Sequence, residues 1–172
     1  MEKETIQNKE KNFVSCVLYL HNDGKNIREF LKTVCGTMEQ NFEKYEIVCV
    51  NDCCMDDTIE EIHRYLEESN TRHVVSLINL SFYQGVEMAM NAGRDLAVGD
   101  FLFEFDRCLL DFEPSLIMDI YHKALEGYDV VAAAPKRDVA FTSRLFYAVY
   151  NLGSRNTPVS YTHLTLPTTP YV

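Results

Sequence analysis

The segment FVSCVLYLHND, Phe13 to Asp23, decides the fold of this chain. Residues 13–20 are almost continuously apolar or β-branched, which predicts a strand buried on both faces. The polar residues 21–24 then end that strand. After them, apolar residues recur at the spacing of one buried helical stripe, namely Ile27, Phe30, Leu31, Val34, Cys35 and Met38. The segment therefore predicts the start of a β-α unit.

The rest of the chain repeats this alternation of strand and helix. Further strands are predicted over 45–50, 74–80, 101–105 and 129–134, with a helix of small residues over 85–97. Asp56 or Asp57 is predicted to cap a second helix, Glu60 completes a capping box with Asp57, and Pro114 is predicted to begin another helix. Short connections between such elements indicate an α/β fold, with a mainly parallel sheet and helices on both faces.

Composition excludes several classes of protein. The chain has 172 residues, which suits one domain, and 26 acidic against 16 basic residues give a net charge of -10. No basic face is evident, so nucleic acid is not an expected partner. No run approaches the about 20 apolar residues of a membrane span, and the polar start is unlike a signal peptide, so we expect a cytoplasmic location. The six cysteines contain no CxxC pair and are predicted to be reduced thiols.

Three regions are predicted along the chain. Residues 1–12 are a polar lead-in, residues 13–158 form the domain, and residues 159–172 are a tail of different character. The stretch 159–169, VSYTHLTLPTT, resembles a translated sequencing adapter and is left out of the fold prediction. The alternative is a genuine Thr/Pro-rich tail. If the adapter interpretation is right, we expect the natural gene to continue beyond about residue 158, with the acceptor half of the protein missing from this chain. We then expect this fragment alone to be inactive.

Ligands of parallel sheets bind beyond the carboxyl ends of the strands, so the residues that follow each strand are the candidate site. An aromatic-type ring at His21 and polar groups follow the first strand. Asp52 follows the second, where a carboxylate can accept an N–H from the edge of a pyrimidine base, although a plain turn residue is the alternative. Asp106 follows the fourth strand, and acidic side chains there can hold a divalent cation against a diphosphate.

Four segments in this order resemble family 2 glycosyltransferases, above all the branch that transfers sugars to polyprenyl phosphates. Residues 19–23 match the family's P-A-Y-N-E segment, and residues 50–58 match V-D-D-G-S-x-D-x-T. Residues 80–93 match L-S-R-N-F-G-K-x-x-A-x-x-A-G. Residues 99–114 match G-D followed by a strand that ends in D-A-D-L-Q-D-P-P-E. The resemblance spans about residues 13 to 150.

The resemblance implies a GT-A fold, here an incomplete Rossmann-like portion that binds a nucleotide diphosphate-sugar. It implies sugar transfer with inversion to an acceptor, a lipid phosphate or a glycan, and contact with the cytoplasmic face of a membrane only through the missing C-terminal part. Carried over by position, the nucleotide-sugar-binding residues are Tyr19, His21, Asp23, Val50, Asp52, Asp106 and Arg107. No residue is predicted to be a catalytic base.

The expected metal site departs from the family pattern. Asp106 matches the first acid of the D-x-D motif and would help to hold Mg²⁺ or Mn²⁺, but Cys108 replaces the second acid. A thiol is a soft ligand that suits these hard cations poorly, so dependence on a divalent cation is doubtful. Arg107 could supply positive charge instead, and Asp111 is predicted to cap a helix rather than to bind a metal. The rival hypothesis is therefore a non-catalytic nucleotide-binding module with a degenerate D-x-D.

A receiver-type signalling domain, which also has clustered acids, fits Asn51, Asp52 and Asp106 poorly because the other motifs have no place in it. After the predicted fifth strand, Lys136 and Arg137 could neutralise a phosphate or simply solvate a loop, and the second interpretation is preferred.

Overall fold

The computed structural model describes residues 9–69 and 71–133. Within them, strands and helices alternate as predicted. The strands are β1 (Glu10–Leu20), β2 (Phe42–Asn51), β3 (Val75–Asn79) and β4 (Phe101–Phe105). The helices are α1 (Ile27–Asn41), α2 (Thr58–Glu68), α3 (Val86–Leu96) and α4 (Ser115–Leu125).

The four strands form one parallel sheet in the order β3-β2-β1-β4. The two central strands are β1 and β2, and they pair from Glu10 with Phe42 to Leu20 with Asn51. Because all four strands run the same way, the loops that follow β1, β2, β3 and β4 emerge at one edge of the sheet. The α/β fold with a parallel sheet is confirmed.

Helices cover both faces of this sheet. Alternate residues of β1 divide between two apolar clusters, since side chains of a strand point to opposite faces. The larger cluster contains Leu18 and the apolar stripes of α1 and α4, whereas the smaller contains Val17 with Ala89 and Met90 of α3. Gly93 lets α3 lie close to the sheet, because a Cβ there would be 2.3 Å from a Val17 methyl group. The stripe predicted from Ile27 to Met38 is fully buried or nearly so.

Some boundaries differ from the prediction. β1 begins at Glu10, three residues before the predicted start, because its first residues pair and hydrogen-bond with distant parts of the chain. Glu10 pairs with Phe42, and the Asn12 side-chain amide donates to the hydroxyl of Tyr121 on α4 at 2.7 Å. A polar sequence can therefore form a strand when its hydrogen bonds are supplied from distant elements.

The predicted fifth strand is wrong for residues 129–133, which form no strand. Val130 is 84% exposed, and the segment pairs with none of the four described strands. A β-prone run becomes a strand only where a neighbour accepts its hydrogen bonds. Lys136, Arg137 and the adapter-like stretch 159–169 lie outside the described residues.

The capping predictions were partly wrong. Asp57 precedes α2 but makes no side-chain cap, so the capping box with Glu60 does not form. Asp56 takes the role instead, since its carboxylate accepts the Thr58 N–H at 3.1 Å. Asp111 does not cap α4, which begins at Ser115 directly after Pro114.

All six cysteines are free thiols. Over the described ranges, no helix combines the length and apolar character needed to cross a membrane.

Candidate functional site

The loops at the carboxyl edge continue the hydrogen bonding of the sheet. The Asp52 N–H donates to the Leu20 carbonyl at 2.9 Å, and the Leu80 N–H donates to the Asn51 carbonyl at 3.0 Å. Each loop is thus tied to its neighbour before it turns away. As a result, His21, Asp52 and Tyr83 come together, although they follow three different strands. We call these three residues the β1–β3 corner.

Asp52 is the most constrained residue of this corner. Its side chain is fully buried, and its carboxylate accepts the N–H groups of Gln84 at 2.7 Å and Gly85 at 2.8 Å. The Tyr19 hydroxyl donates to the same carboxylate at 3.1 Å. Gly85 directly precedes α3 at φ 84° and ψ 163°, a conformation that only glycine adopts readily. The carboxylate therefore fastens the β3–α3 loop, where the N-terminus of the helix favours its negative charge.

Tyr19 and Val50 support the corner from beneath. Both belong to the apolar cluster between the sheet and α3, and Val50 has no exposed surface. Burial is the main cause that raises the pKa of the Tyr19 phenol well above its usual value, and the hydrogen bond to Asp52 adds to the shift. The phenol therefore stays protonated and can keep donating to Asp52. Neither side chain presents a face to solvent at the edge of the sheet.

His21 is partly exposed at this corner, whereas Tyr19, Val50 and Asp52 are buried. The Nδ1 of His21 lies 2.7 Å from the Asp52 carbonyl oxygen. A carbonyl only accepts hydrogen bonds, so Nδ1 carries a proton, and in the neutral ring Nε2 is an acceptor. The Asn22 side-chain amide lies 3.4 Å from Nε2, and the ring contacts that of Tyr83, with centroids 4.9 Å apart and planes inclined by 57°.

Tyr83 was not predicted as an individual site residue. Its signal was nevertheless present, because Phe82 and Tyr83 are adjacent aromatic residues in a short turn between a strand and a helix. The structure leaves their side chains 66% and 60% exposed. Aromatic side chains in such a turn are candidates for ligand contact when they lie beside other site residues.

Asp23 holds the loop that follows β1. Its carboxylate accepts the His21 N–H at 2.8 Å, and its own N–H donates to the Thr58 hydroxyl at 2.8 Å. Burial raises the pKa of this carboxyl, while the hydrogen bond from His21 opposes the shift. Asp56 locks the same loop by accepting the Gly24 N–H at 2.9 Å. These contacts give Asp56 and Thr58, two residues apart at the start of α2, a role in holding the loop after β1.

The residues after β4, Asp106, Arg107 and Cys108, are arranged differently, and we call them the β4 end. Asp106 and Arg107 are exposed. The Arg107 guanidinium lies 3.1 Å from a carboxylate oxygen of Asp111 and 4.0 Å from one of Asp106. The positive charge of Arg107 is therefore already balanced by the two acidic residues of its own loop. Beside it, Glu104 forms an ion pair with Arg94 of α3.

Cys108 faces the interior. Only 1% of the residue is exposed, and its thiol donates to the Tyr19 carbonyl at 3.7 Å. Burial is the main cause that raises the pKa of this thiol far above its usual value, with Asp23 adding to the shift. The group is thus a neutral thiol inside the core, and a neutral thiol does not ligate metals well.

The β4 end does not fit a site for Mg²⁺ or Mn²⁺. Such cations need several oxygen ligands, but Asp106 lies beside a guanidinium and Cys108 points away from solvent. Across residues 9–69 and 71–133, no group of three or more His, Cys, Asp or Glu side chains is placed to hold a metal ion.

Comparison with known proteins gives a consistent result. The family model described as glycosyl transferase family 2 matches residues 15–155. An uncharacterized glycosyltransferase of Synechocystis sp. is 30% identical over 142 residues, which are 79% of this chain and 43% of that protein. Undecaprenyl-phosphate 4-deoxy-4-formamido-L-arabinose transferase of Pseudomonas syringae is 30% identical over 119 residues, 69% of this chain and 34% of that protein.

Among solved structures, a mannosyltransferase of Pyrobaculum calidifontis in complex with GDP-Man and Mn²⁺ superposes with a TM-score of 0.59. It shares 19% identity, and the match covers 81% of this chain and 39% of that one, so it shows a common GT-A fold. This chain spans less than half the length of the Synechocystis and Pseudomonas relatives. Because the family match extends over most of the sequence, the chain belongs to glycosyl transferase family 2.

Proposed function

We propose that this chain forms the nucleotide-binding part of a glycosyltransferase that moves a sugar from a nucleotide diphosphate-sugar to an acceptor. The observation that carries the proposal is the β1–β3 corner, which a family 2 chain builds at the carboxyl edge of a parallel sheet. That edge is where parallel α/β sheets hold their ligands. The solved mannosyltransferase with the same fold holds GDP-Man, which supports a donor of this class.

The acceptor we propose is a polyprenyl phosphate. Support comes from the Pseudomonas syringae relative, whose name specifies undecaprenyl phosphate. In the transfer, the bond between the anomeric carbon and the diphosphate oxygen breaks, and the nucleoside diphosphate leaves with the electron pair. An acceptor oxygen forms the new bond to the anomeric carbon. A phosphate acceptor is already an anion and needs no general base, in keeping with the absence of a predicted base.

The extent of the domain, residues 13–158, stays a prediction, as does action at the cytoplasmic face of a membrane. We propose that the base lies at the β1–β3 corner and the diphosphate near Asp106 and Arg107. In this arrangement Arg107 exchanges Asp111 for phosphate oxygens, because a guanidinium binds both anions through paired N–H groups.

Calorimetric titration of the chain with UDP, GDP and ADP, each with and without Mn²⁺, tests the donor class. We expect saturable binding of UDP or GDP, weakened about tenfold or more by Arg107→Ala, since a charged hydrogen bond to phosphate contributes about 1.5 kcal/mol or more. Arg64→Ala is the matched control, because Arg64 is an exposed arginine that pairs with Glu61 of its own helix. Absence of binding to every nucleoside diphosphate would contradict the proposal.

A second candidate is a module that binds the nucleotide without transferring sugar. The specific observation in its favour is the buried Cys108 thiol at the position where the family pattern has a metal-binding acid. Incubation of the longer protein, with the sequence that follows residue 158 in the natural gene restored, with UDP- and GDP-sugars labelled in the sugar and with undecaprenyl phosphate present separates the two candidates. Transfer of label to the lipid supports the enzyme, whereas metal-independent binding without transfer or release of sugar supports the module.

A further inference from the structure

We propose that Cys53 and Cys54 are a reversible redox switch, in which a disulfide between them loosens the loops on either side and weakens binding at the β1–β3 corner. We call these two residues the thiol pair. The inference rests on the proposed function, because it adds regulation to the proposed nucleotide site. It concerns a departure of this chain from the family pattern, which has glycine and serine at these two positions.

The first step is that the thiol pair is within reach of a reagent, whereas the other cysteines are not. The chain has six cysteines, and the four outside the pair are at most 1% exposed. Cys53 and Cys54 are partly exposed, in the loop between β2 and α2. A small oxidant in solution therefore meets this pair before it meets a thiol of the core.

The second step is that the two thiols contact two different loops. The Cys53 thiol donates to the carbonyl of Leu80, which directly follows β3, at 3.7 Å. The Cys54 sulfur accepts the N–H of Asn22, in the loop that follows β1, at 3.2 Å. Because β2 lies between β1 and β3 in the sheet, these loops flank the thiol pair on opposite sides. While the pair is reduced, each thiol helps to hold one loop.

The third step is that a disulfide is incompatible with these contacts. A disulfide sulfur has no S–H group to donate, so the hydrogen bond from Cys53 to the Leu80 carbonyl is lost. Bonded sulfur atoms are about 2.05 Å apart, so both must leave the outer loops and meet between them. The Cys54 sulfur therefore moves away from the Asn22 N–H as well.

The backbone carries this change to the β1–β3 corner. Cys53 directly follows Asp52, whose carbonyl oxygen lies 2.7 Å from Nδ1 of His21. Because a peptide unit is planar, a rotation about the N–Cα bond of Cys53 turns that carbonyl as a unit. Oxidation of the thiol pair thus disturbs the hydrogen bond that orients His21.

The spacing of the pair makes such a disulfide reversible. The Cα atoms of adjacent residues are about 3.8 Å apart, whereas those of most disulfides are about 4.4 Å apart or more. The bond is therefore strained, and strained disulfides are the ones that small thiols reduce readily. This property suits a regulatory disulfide rather than a structural one.

The oxidant that we propose is a low-molecular-weight disulfide. One thiolate of the pair attacks a sulfur atom of this reagent, which forms a mixed disulfide and releases a small thiol. The other thiolate then attacks the protein sulfur of the mixed disulfide, which forms the bond between Cys53 and Cys54 and releases a second small thiol. The chain loses two electrons and two protons, and both end on the released thiols. Excess small thiol reverses both steps.

The test begins with exposure of three proteins to oxidised glutathione, namely the wild-type chain, the double variant Cys53→Ser with Cys54→Ser, and Cys35→Ala. Cys35→Ala is the matched control, because it removes a buried thiol of α1. By mass spectrometry, the wild type and Cys35→Ala should lose about 2 Da, mapped to a peptide with both cysteines of the pair, and dithiothreitol should restore the mass. The double variant should keep its mass.

Hydrogen exchange and calorimetric titration measure the consequence of oxidation. In the oxidised wild type, the Asn22 N–H should exchange about tenfold faster or more, since its acceptor has moved. UDP or GDP binding should weaken about fivefold or more and recover with dithiothreitol. Cys35→Ala should respond as the wild type does, whereas the double variant should behave alike with and without the oxidant.

The alternatives give different results. A stable glutathione adduct, a bond to a cysteine outside the pair or to a second chain, or unchanged exchange and binding in the oxidised wild type would overturn the inference and leave the proposed function standing. A reduced wild type that binds no nucleoside diphosphate would instead overturn the proposed function. The mass and the exchange of the Asn22 N–H would then still decide whether the pair is a switch.

Discussion

The β1–β3 corner and the β4 end lie at the same edge of one sheet, yet they are built in opposite ways. At the corner, the buried carboxylate of Asp52 accepts three hydrogen bonds, and the exposed ring of Tyr83 lies against the partly exposed His21. At the β4 end, the acid and the arginine are exposed and pair with one another, while the cysteine between them and α4 is buried.

The difference shows that the position of a polar residue after a strand does not decide its role. Asp52 and Asp106 both follow strands and both match acids of the family pattern. Asp52 is surrounded by backbone N–H groups from another loop and is part of the structure, whereas Asp106 is left to solvent. Substitutions at the β1–β3 corner and at the β4 end, together with a change of pH, test this contrast. The experiments follow in order of the expected change in the free energy of unfolding, from the largest to the smallest.

Cys108→Asp restores an acid at the β4 end and should lower the free energy of unfolding by about 4 kcal/mol, because it places a carboxylate where burial opposes charge. Cys108→Ala is the control and should cost about 1–2 kcal/mol. Urea denaturation measures both. If Cys108→Asp is as stable as Cys108→Ala, and Mn²⁺ raises its melting temperature, position 108 faces the ligand rather than the core.

Asp52→Ala should lower the free energy of unfolding by about 3 kcal/mol, since it leaves two N–H groups and a buried phenol without their acceptor. Asp106→Ala should change that free energy by less than about 0.5 kcal/mol, because the side chain is exposed. Urea titrations of both variants compare the β1–β3 corner with the β4 end directly. Equal stability of the two variants would remove the distinction between them.

Alkaline pH should weaken the contribution of Cys108. Burial raises the pKa of the folded thiol above that of the unfolded thiol, about 8.5, so the folded state holds its proton more tightly. The stabilisation is complete below the unfolded pKa and is lost as the pH rises above it, by about 1.4 kcal/mol for each pH unit. The stability of the wild type should therefore fall towards that of Cys108→Ala in urea titrations from about pH 7 to about pH 10.

Parallel pH profiles for the wild type and Cys108→Ala would show that the thiol titrates alike in both states. Asp106→Ala serves as the reference in this experiment, because its profile should follow that of the wild type.

Cys53→Gly should give the smallest effect, a gain of about 0.5 kcal/mol in the free energy of unfolding. Cys53 has φ 57°, a left-handed conformation that strains a residue with a side chain, and it stands where the family pattern has glycine. Cys54→Gly is the control and should destabilise the chain, since Cys54 is not in that region. Thermal melting of the two variants in parallel detects the difference, and a lower melting temperature for Cys53→Gly would show that the thiol's contact with the Leu80 carbonyl outweighs the strain.

Most of the fold could be predicted from short-range patterns. Apolar periodicity located four strands and four helices, because an element that is buried on one or both faces needs apolar residues at its own spacing. The prediction failed where an element depends on a distant partner. β1 starts earlier because Phe42 and Tyr121 support it, and residues 129–133 form no strand despite an apolar run.

The candidate site was predictable only in part. The order of its segments could be read from the sequence, and His21 lies at the edge as expected. The direction of each side chain could not be read, since it depends on which groups the fold brings near. The acceptor role of Asp52 towards Gln84 joins residues 32 positions apart, and the contact of Cys108 with Tyr19 joins residues 89 apart.

The amino-acid pattern alone thus established the succession of strands and helices, the family, and the segments that meet at the carboxyl edge. The folded chain was needed to show that Asp52 is buried and holds the β3–α3 loop, that Cys108 belongs to the core, and that Tyr83 is exposed beside His21. The physical reason is that burial and hydrogen-bond partners are properties of neighbours in space. For these side chains, the decisive neighbours come from other loops of the sheet.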